Sequence, residues 1–186
     1  MDKQHCSQLV MFCHDLRSLT PIDLAAGLTL RSCETGDEGG WEHIIDRVFR
    51  YDSSFAGEMQ ADDAFRPERV FFICRGEAPI ATASAWSREQ WPGQVGYLHM
   101  VAVLPEYQGK GLGQQVSLAA LYQMRREGRT AAVLHTDDSR LAAIRTYLKL
   151  AFLPYLTHTD HAFRWQSVLH RLAAHDPSRS LPGFEC

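Results

Sequence analysis

Apolar positions along this chain fall into two rhythms, one of period two and one near 3.6. After Gly27 the alternation Leu28-Thr29-Leu30-Arg31 predicts a short strand. Gly36-Asp37-Glu38 then gives a turn and a helix start, because Trp41, Ile44, Ile45, Val48 and Phe49 follow at the spacing of one helix face. A second helical segment is expected over 53–61, broken at Arg66-Pro67-Glu68. Three apolar runs follow: Val70-Phe71-Phe72-Ile73-Cys74, Pro79 to Trp86, and Val95 to Val103. The turn-forming residues between them predict an antiparallel meander. Past Gly111 the period becomes helical, through Val116, Leu118, Ala119, Leu121, Tyr122 and Met124, and ends in Arg125-Arg126-Glu127-Gly128. Ala131-Ala132-Val133-Leu134-His135 has the length of a buried strand. Asp137-Asp138-Ser139 reads as the cap of a helix carrying Leu141, Ala142, Ile144, Tyr147, Leu148 and Leu150. A strand from Phe152 and a closing strand around Ala162-Phe163-Arg164-Trp165 complete the order, which predicts a mixed α+β sheet covered by helices. The expected organisation is an N-terminal arm over 1–26, a domain over 27–165, and a C-terminal helix and tail over 166–186.

Composition narrows the classes. At 186 residues, 45% hydrophobic and 22% charged, the chain suits one packed domain. A formal net charge of -3 and no stripe of basic and aromatic residues argue against a nucleic-acid partner. Cys6, Cys13, Cys33, Cys74 and Cys186 are odd in number, scattered and never spaced Cys-x-x-Cys, so reduced thiols are expected and a disulfide framework or zinc cluster is not. No apolar run approaches the roughly 20 residues of a membrane span, and the first residues lack a signal-peptide pattern. No membrane association and a cytoplasmic location are the expectation.

The most informative stretch is Val101-Ala102-Val103-Leu104-Pro105-Glu106-Tyr107-Gln108-Gly109-Lys110-Gly111-Leu112-Gly113-Gln114-Gln115-Val116. A buried strand runs into a glycine-dense turn and then a long helix. Glycines at 109, 111 and 113 remove side chains that would keep a ligand away, so successive N–H groups can converge on an anion at the helix N-terminus. Lys110 adds a positive charge, directed at a phosphate or at solvent. Neither the P-loop spacing nor Gly-x-Gly-x-x-Gly is present. On the glycines alone, a turn that holds no ligand is an equal alternative.

In its flanking context this segment resembles the GNAT superfamily of N-acetyltransferases, whose signature is Gln/Arg-x-x-Gly-x-Gly/Ala after a strand; Gln108-Gly109-Lys110-Gly111-Leu112-Gly113 fits every fixed position. A second family block, an Ala-Ile-x-x-Tyr core followed by Gly-Phe, is matched by Ala143-Ile144-Arg145-Thr146-Tyr147 and Ala151-Phe152. Ala151 replaces the usual glycine, which hints at a slightly different turn. The resemblance covers about residues 27 to 165. It implies the GNAT fold: a mostly antiparallel central sheet of about six or seven strands with helices on both faces, the strand ending at Val103 splaying from its neighbour. It also implies acetyl-coenzyme A as acyl donor. Backbone groups of Val101, Ala102 and Val103 would pair with pantetheine and hold the thioester carbonyl, and the N–H groups from Gly109 to Gln114 would hold the pyrophosphate. Arg140, where the family often has an asparagine facing the cofactor, is carried over as a contact at a departing position.

Acetyl transfer to an amine needs an uncharged nucleophile, a polarised carbonyl and a protonated leaving thiol. Tyr147 matches the family tyrosine that donates to the departing thiolate; its alternative is a packed core tyrosine. His99, on the strand ending at Val103 and sharing a face with Tyr97, is the candidate base, against the alternative of a hydrogen-bonded core histidine. His135, Asp137 and Asp138 follow a strand end and are read as strand exit and helix cap, with no metal expected. Glu58, Asp62 and Asp63 lie where the family walls its acceptor site and either attract a cationic amine or form a solvated acidic face. The implied activity is direct transfer from acetyl-coenzyme A to a small primary amine, with a protein lysine or N-terminus as the other acceptor class and a homodimer as the implied assembly. A noncatalytic acetyl-coenzyme A sensor or interaction module would share the fold and the motif.

Overall fold

The apolar runs in the middle of the chain pair edge to edge in the computed structural model, which describes residues 7–175. Residues 1–6 of the expected arm, the tail past 175, Cys6 and Cys186 lie outside those residues. The described residues hold seven strands: β1 (Leu9–Cys13), β2 (Leu28–Ser32), β3 (Val70–Arg75), β4 (Ala78–Trp86), β5 (Val95–Val103), β6 (Ala131–Thr136) and β7 (Leu153–Tyr155). The helices are α1 (Glu38–Phe49), α2 (Leu112–Arg126), α3 (Leu141–Lys149) and α4 (His161–His175). They fall into two compact units, 14–132 and a second built of 7–13 with 133–175.

In the larger unit β2, β3, β4 and β5 are neighbours in that order, each antiparallel to the next, as the meander pattern predicts. The two sides of this sheet are covered differently. A Cβ at Gly96 would sit 2.4 Å from Met124 Sδ, so glycine there lets α2 lie close against one side. Alternation puts Trp86 and His99 on the other side, where their rings meet at 5.7 Å. Their neighbours there lead through Phe65 and Phe55 to Trp41 of α1. The helix-spaced residues Trp41, Ile44 and Ile45 are fully buried, each worth on the order of 1.5–3 kcal/mol. Between α1 and β3, the expected helix over 53–61 is a single π turn, Ala56–Gln60, followed by a 3-10 turn at Pro67–Arg69.

In the smaller unit the strand order is β6, β1, β7. Part of the stretch read as an arm is therefore β1, whose Leu9, Val10, Met11 and Cys13 are buried and whose register pairs Met11 with Pro154 of β7. The closing strand expected at 162–165 is instead the start of α4. Its buried residues, His161, Trp165, Val168 and Leu172, recur every three or four positions, whereas Phe163 is 76% exposed. With β1 already paired to β7, the chain after Asp160 forms a helix, begun by the Arg164 N–H donating to the Asp160 carbonyl.

Two helix ends depart from the sequence reading. Asp137 and Asp138 do not cap α3; its N-cap is Arg140, and the Asp138 carboxylate pairs with Arg164 of α4. At the C-terminus the turn is the one a glycine would make, although the residue is alanine. The Phe152 N–H reaches the Tyr147 carbonyl at 3.0 Å and the Ala151 N–H reaches Leu148 at 3.2 Å, a Schellman arrangement that puts Ala151 at φ 61°. A Cβ in that left-handed region is strained. Ala151→Gly is accordingly expected to stabilise the chain by about 0.5–1 kcal/mol, a rise of about 1–4 °C in Tm by differential scanning calorimetry. An unchanged or lower Tm would mean that glycine's extra freedom in the unfolded chain offsets the relieved strain.

Candidate functional site

The site begins in β5, where the β-rich run Val95 to Val103 pairs with β4 through Trp86–Tyr97, Ala85–Leu98 and Ser84–His99. The next pair is Thr82–Ala102, so Ala83 alone faces two residues, Met100 and Val101. This is a β-bulge, and Met100 sits in it at φ 48°, a conformation that costs a non-glycine residue on the order of 1 kcal/mol. The bulge bends the strand and re-aims the residues after it. His99, Met100, Val101 and Val103 are part-exposed there while Ala102 is buried. Nothing in the sequence signals this bulge, since methionine has no preference for positive φ.

Leaving β5, Pro105–Tyr107 makes a 3-10 turn, Gln108 is extended, and Gly109 and Gly111 take φ 77° and 78°. Both conformations favour glycine, and a Cβ at either would meet no protein atom within 4 Å. Their bare backbone therefore faces open space. Gly111 is the N-cap of α2, and the first helical bonds run from the Gln114 and Gln115 N–H groups to the Gly111 carbonyl at 3.0 and 3.2 Å. The N–H groups of Gly111, Leu112 and Gly113 precede them and have no partner within the helix. With the positive end of a 15-residue helix dipole behind them, they make a cradle of donors suited in sign to an anion. The Gln108 Nε2 donates to the Val103 carbonyl at 3.0 Å and ties the cradle to the strand end. Lys110 does not extend outward: its Nζ reaches back to the Glu106 carbonyl at 3.4 Å and lies 5.0 Å above the Tyr107 ring.

On the α1 side of the sheet the same strands carry an aromatic wall. Tyr97 and His99 rings are 5.5 Å apart, Trp86 is 5.7 Å from His99, and Phe65 is 6.4 Å from Trp86. Burial raises the Tyr97 hydroxyl above its ordinary pKa, so it stays protonated. The Arg88 Cζ lies 5.4 Å from the Tyr97 ring centroid, and Arg88 pairs with Asp62 at 2.9 Å. Of the acidic residues expected near an acceptor, Glu58 accepts from the Tyr51 hydroxyl and the Ser54 N–H, Asp62 accepts from Arg88 and the Ala64 N–H, and Asp63 is exposed. The Asp62–Arg88 pair was not legible in advance, because its members stand 26 residues apart.

The remaining candidates belong to the smaller unit. Tyr147 is buried in α3, 4% exposed, with its ring 6.2 Å from Phe152. Arg140 is part-exposed at the N-cap of α3, its N–H donating to the Asp137 carbonyl at 2.9 Å. Among the described residues no group of three or more His, Cys, Asp or Glu could hold a metal ion, and no helix is long and apolar enough to cross a membrane.

Comparison with known proteins bears on the same segments. The model of the Acetyltransferase (GNAT) family matches residues 40–152. A protein of Nocardia farcinica described as mycothiol acetyltransferase is 34% identical over 129 residues, covering 68% of this chain and 39% of that protein. One of the same description from Streptomyces griseus is 27% identical over 163 residues, covering 81% and 52%. The chain thus spans about half the length of the curated relatives it matches. Among solved structures, the ribosomal-protein-S18-alanine N-acetyltransferase of Escherichia coli is 26% identical with a TM-score of 0.53, covering 66% of this chain and 76% of that one. An acetyltransferase of Colwellia psychrerythraea shares the fold at a TM-score of 0.63 and 12% identity, covering 80% and 53%. With the family model matching more than half of its length, the chain belongs to the GNAT acetyltransferase family.

Proposed function

We propose that this chain transfers an acetyl group from acetyl-coenzyme A directly to a primary amine bound beside it. The observation that carries the reading is the cradle: two glycines at positive φ expose the unpaired N–H groups of α2 immediately after the bulged strand. The donor supplies a thioester whose carbonyl carbon the amine nitrogen attacks, the C–N bond forming as the C–S bond breaks. The N–H groups from Gly109 to Gly113 hold the pyrophosphate charge, because the Gln114 N–H is already spent on the Gly111 carbonyl, and Lys110 must leave the Glu106 carbonyl to join them. Main-chain groups of Val101, Ala102 and Val103, turned by the bulge, pair with the pantetheine arm and polarise the carbonyl. His99 accepts a proton from the incoming ammonium, directly or through water, so that its lone pair is free. Tyr147 gives its phenolic proton to the leaving sulfur and is reprotonated by the second proton that the amine nitrogen sheds as the amide forms, and Arg140 adds a cation at the cofactor. The site asks for no metal.

Support for turnover rather than sensing comes from His99 on the bulged strand, since a sensor needs the cradle but no histidine beside it. The test is release of free coenzyme A thiol from acetyl-coenzyme A in the presence and absence of a panel of amines. Amine-dependent release with an acetylamide product supports the proposal. Tight acetyl-coenzyme A binding with no release on any small amine, protein N-terminus or lysine would favour the sensor.

A further inference from the structure

The α1 side of the larger unit is rich in carboxylates, which invites the expectation of a polycationic acceptor. Their bonding argues otherwise. Glu42 accepts from the Phe55 N–H at 2.8 Å, Asp46 from the Ser53 N–H at 2.8 Å, and Glu58 from the Ser54 N–H at 3.0 Å and the Tyr51 hydroxyl at 2.7 Å. Asp62 is engaged on both oxygens, by the Ala64 N–H at 2.8 Å and by Arg88 at 2.9 Å. These four carboxylates brace the irregular segment between α1 and β3, whose turns leave N–H groups that need acceptors. They are committed to the fold.

Arg88 is bonded differently. A guanidinium carries five N–H donors, and Arg88 places one nitrogen, Nη1, on Asp62. Its Cζ lies 5.4 Å from the centroid of the Tyr97 ring, within cation–π range, and 35% of its side chain is exposed. Tyr97 is in turn the neighbour of His99, ring to ring at 5.5 Å. A cation with donors to spare thus sits one aromatic ring away from the proposed base, against a wall of Tyr97, Trp86 and Phe65 that lowers the local dielectric.

We infer that Arg88 is a specificity-determining residue, selecting amine acceptors that carry an anionic group, a carboxylate or a phosphate, a few bonds from the amine. Asp62 is its positioning partner. The inference rests on the acetyl-transfer reading for the identity of the amine end, and on the geometry of Arg88 alone for the anionic end. Polyamines are disfavoured, because a second ammonium would meet the guanidinium.

The experiment compares acceptors matched except for charge: γ-aminobutyrate with its amide, 2-aminoethyl phosphate with ethanolamine, and 1,4-diaminobutane as the dication. For the unmodified chain, kcat/KM is expected to favour the anionic member of each pair by about 10- to 100-fold, as one charge-assisted hydrogen bond implies. Arg88→Gln should erase that preference through KM, leaving kcat and the neutral acceptors little changed. Arg88→Lys, which keeps the charge but not the fork, should restore part of it. The two pairs separate a carboxylate source from a phosphate source. A preference for the neutral or dicationic members, or an equal loss on all acceptors in Arg88→Gln and Arg88→Lys, would overturn the inference. Calorimetric binding of the anionic compounds with desulfo-coenzyme A present needs no turnover and separates the two readings. Anion-dependent binding lost in Arg88→Gln, without turnover, would sustain Arg88 and overturn acetyl transfer. Turnover without charge preference would do the reverse.

Discussion

Tyr147→Phe is expected to lower kcat for acetyl transfer by about 10²- to 10⁴-fold while leaving the Kd for acetyl-coenzyme A unchanged, as loss of a general acid implies. Tyr147 is buried with its ring 6.2 Å from that of Phe152, so phenylalanine keeps the ring and removes one hydroxyl. Steady-state turnover beside calorimetric binding of the cofactor checks it. An unchanged kcat would assign the proton on the leaving thiol to another donor and return Tyr147 to a packing role. A parallel loss of kcat and cofactor affinity would point to a disturbed α3 instead.

The largest effect on stability is expected at Asp37, the N-cap of α1. Its carboxylate accepts from both Arg31 Nη atoms, at 2.6 and 2.8 Å, and from the Glu34 N–H at 2.7 Å, and the residue is 8% exposed. Asp37→Ala leaves Arg31 without its carboxylate partner and should destabilise the chain by about 3 kcal/mol at neutral pH in urea denaturation. The pH dependence follows from the direction of the shift. The Arg31 guanidinium, against the opposing effect of burial and with help from the Glu34 N–H, holds the Asp37 carboxyl below the usual carboxylate range. A depressed folded pKa contributes stability that is fully present above the unfolded value of about 4 and is lost as pH falls through the folded one. The deficit of Asp37→Ala should therefore shrink below about pH 4. An equal deficit at neutral and acid pH would mean that shape, not charge, is what Asp37 supplies.

Elements whose own sequence carries their period were legible. The meander β3–β4–β5, the helices α1 and α2 and the glycine turn that leads into α2 all follow from local patterns. The misses share a cause, which is that distant partners decide them. β1 is a five-residue apolar run without turn signals, and pairing with β7 makes it a strand. The segment from His161 offers both a strand and a helix period, and burial of Trp165, Val168 and Leu172 selects the helix. Asp138 looks like a cap but is taken by Arg164. Within the candidate site, glycine at 109 and 111 announces positive φ, whereas Met100 does not announce the bulge and nothing local links Asp62 to Arg88.

Acetyl transfer by this chain requires that the cradle bind the donor, and calorimetric titration with acetyl-coenzyme A tests that most directly, run on the unmodified chain and on Gly111→Glu. A side chain at 111 would enter open space rather than protein, so the variant should fold with a cost of only about 1–2 kcal/mol from its positive φ while placing bulk and negative charge at the N–H groups of α2. Saturable binding by the unmodified chain and loss of that binding in the folded variant are expected. Equal binding by both, or none by the unmodified chain, would contradict donor binding at the cradle.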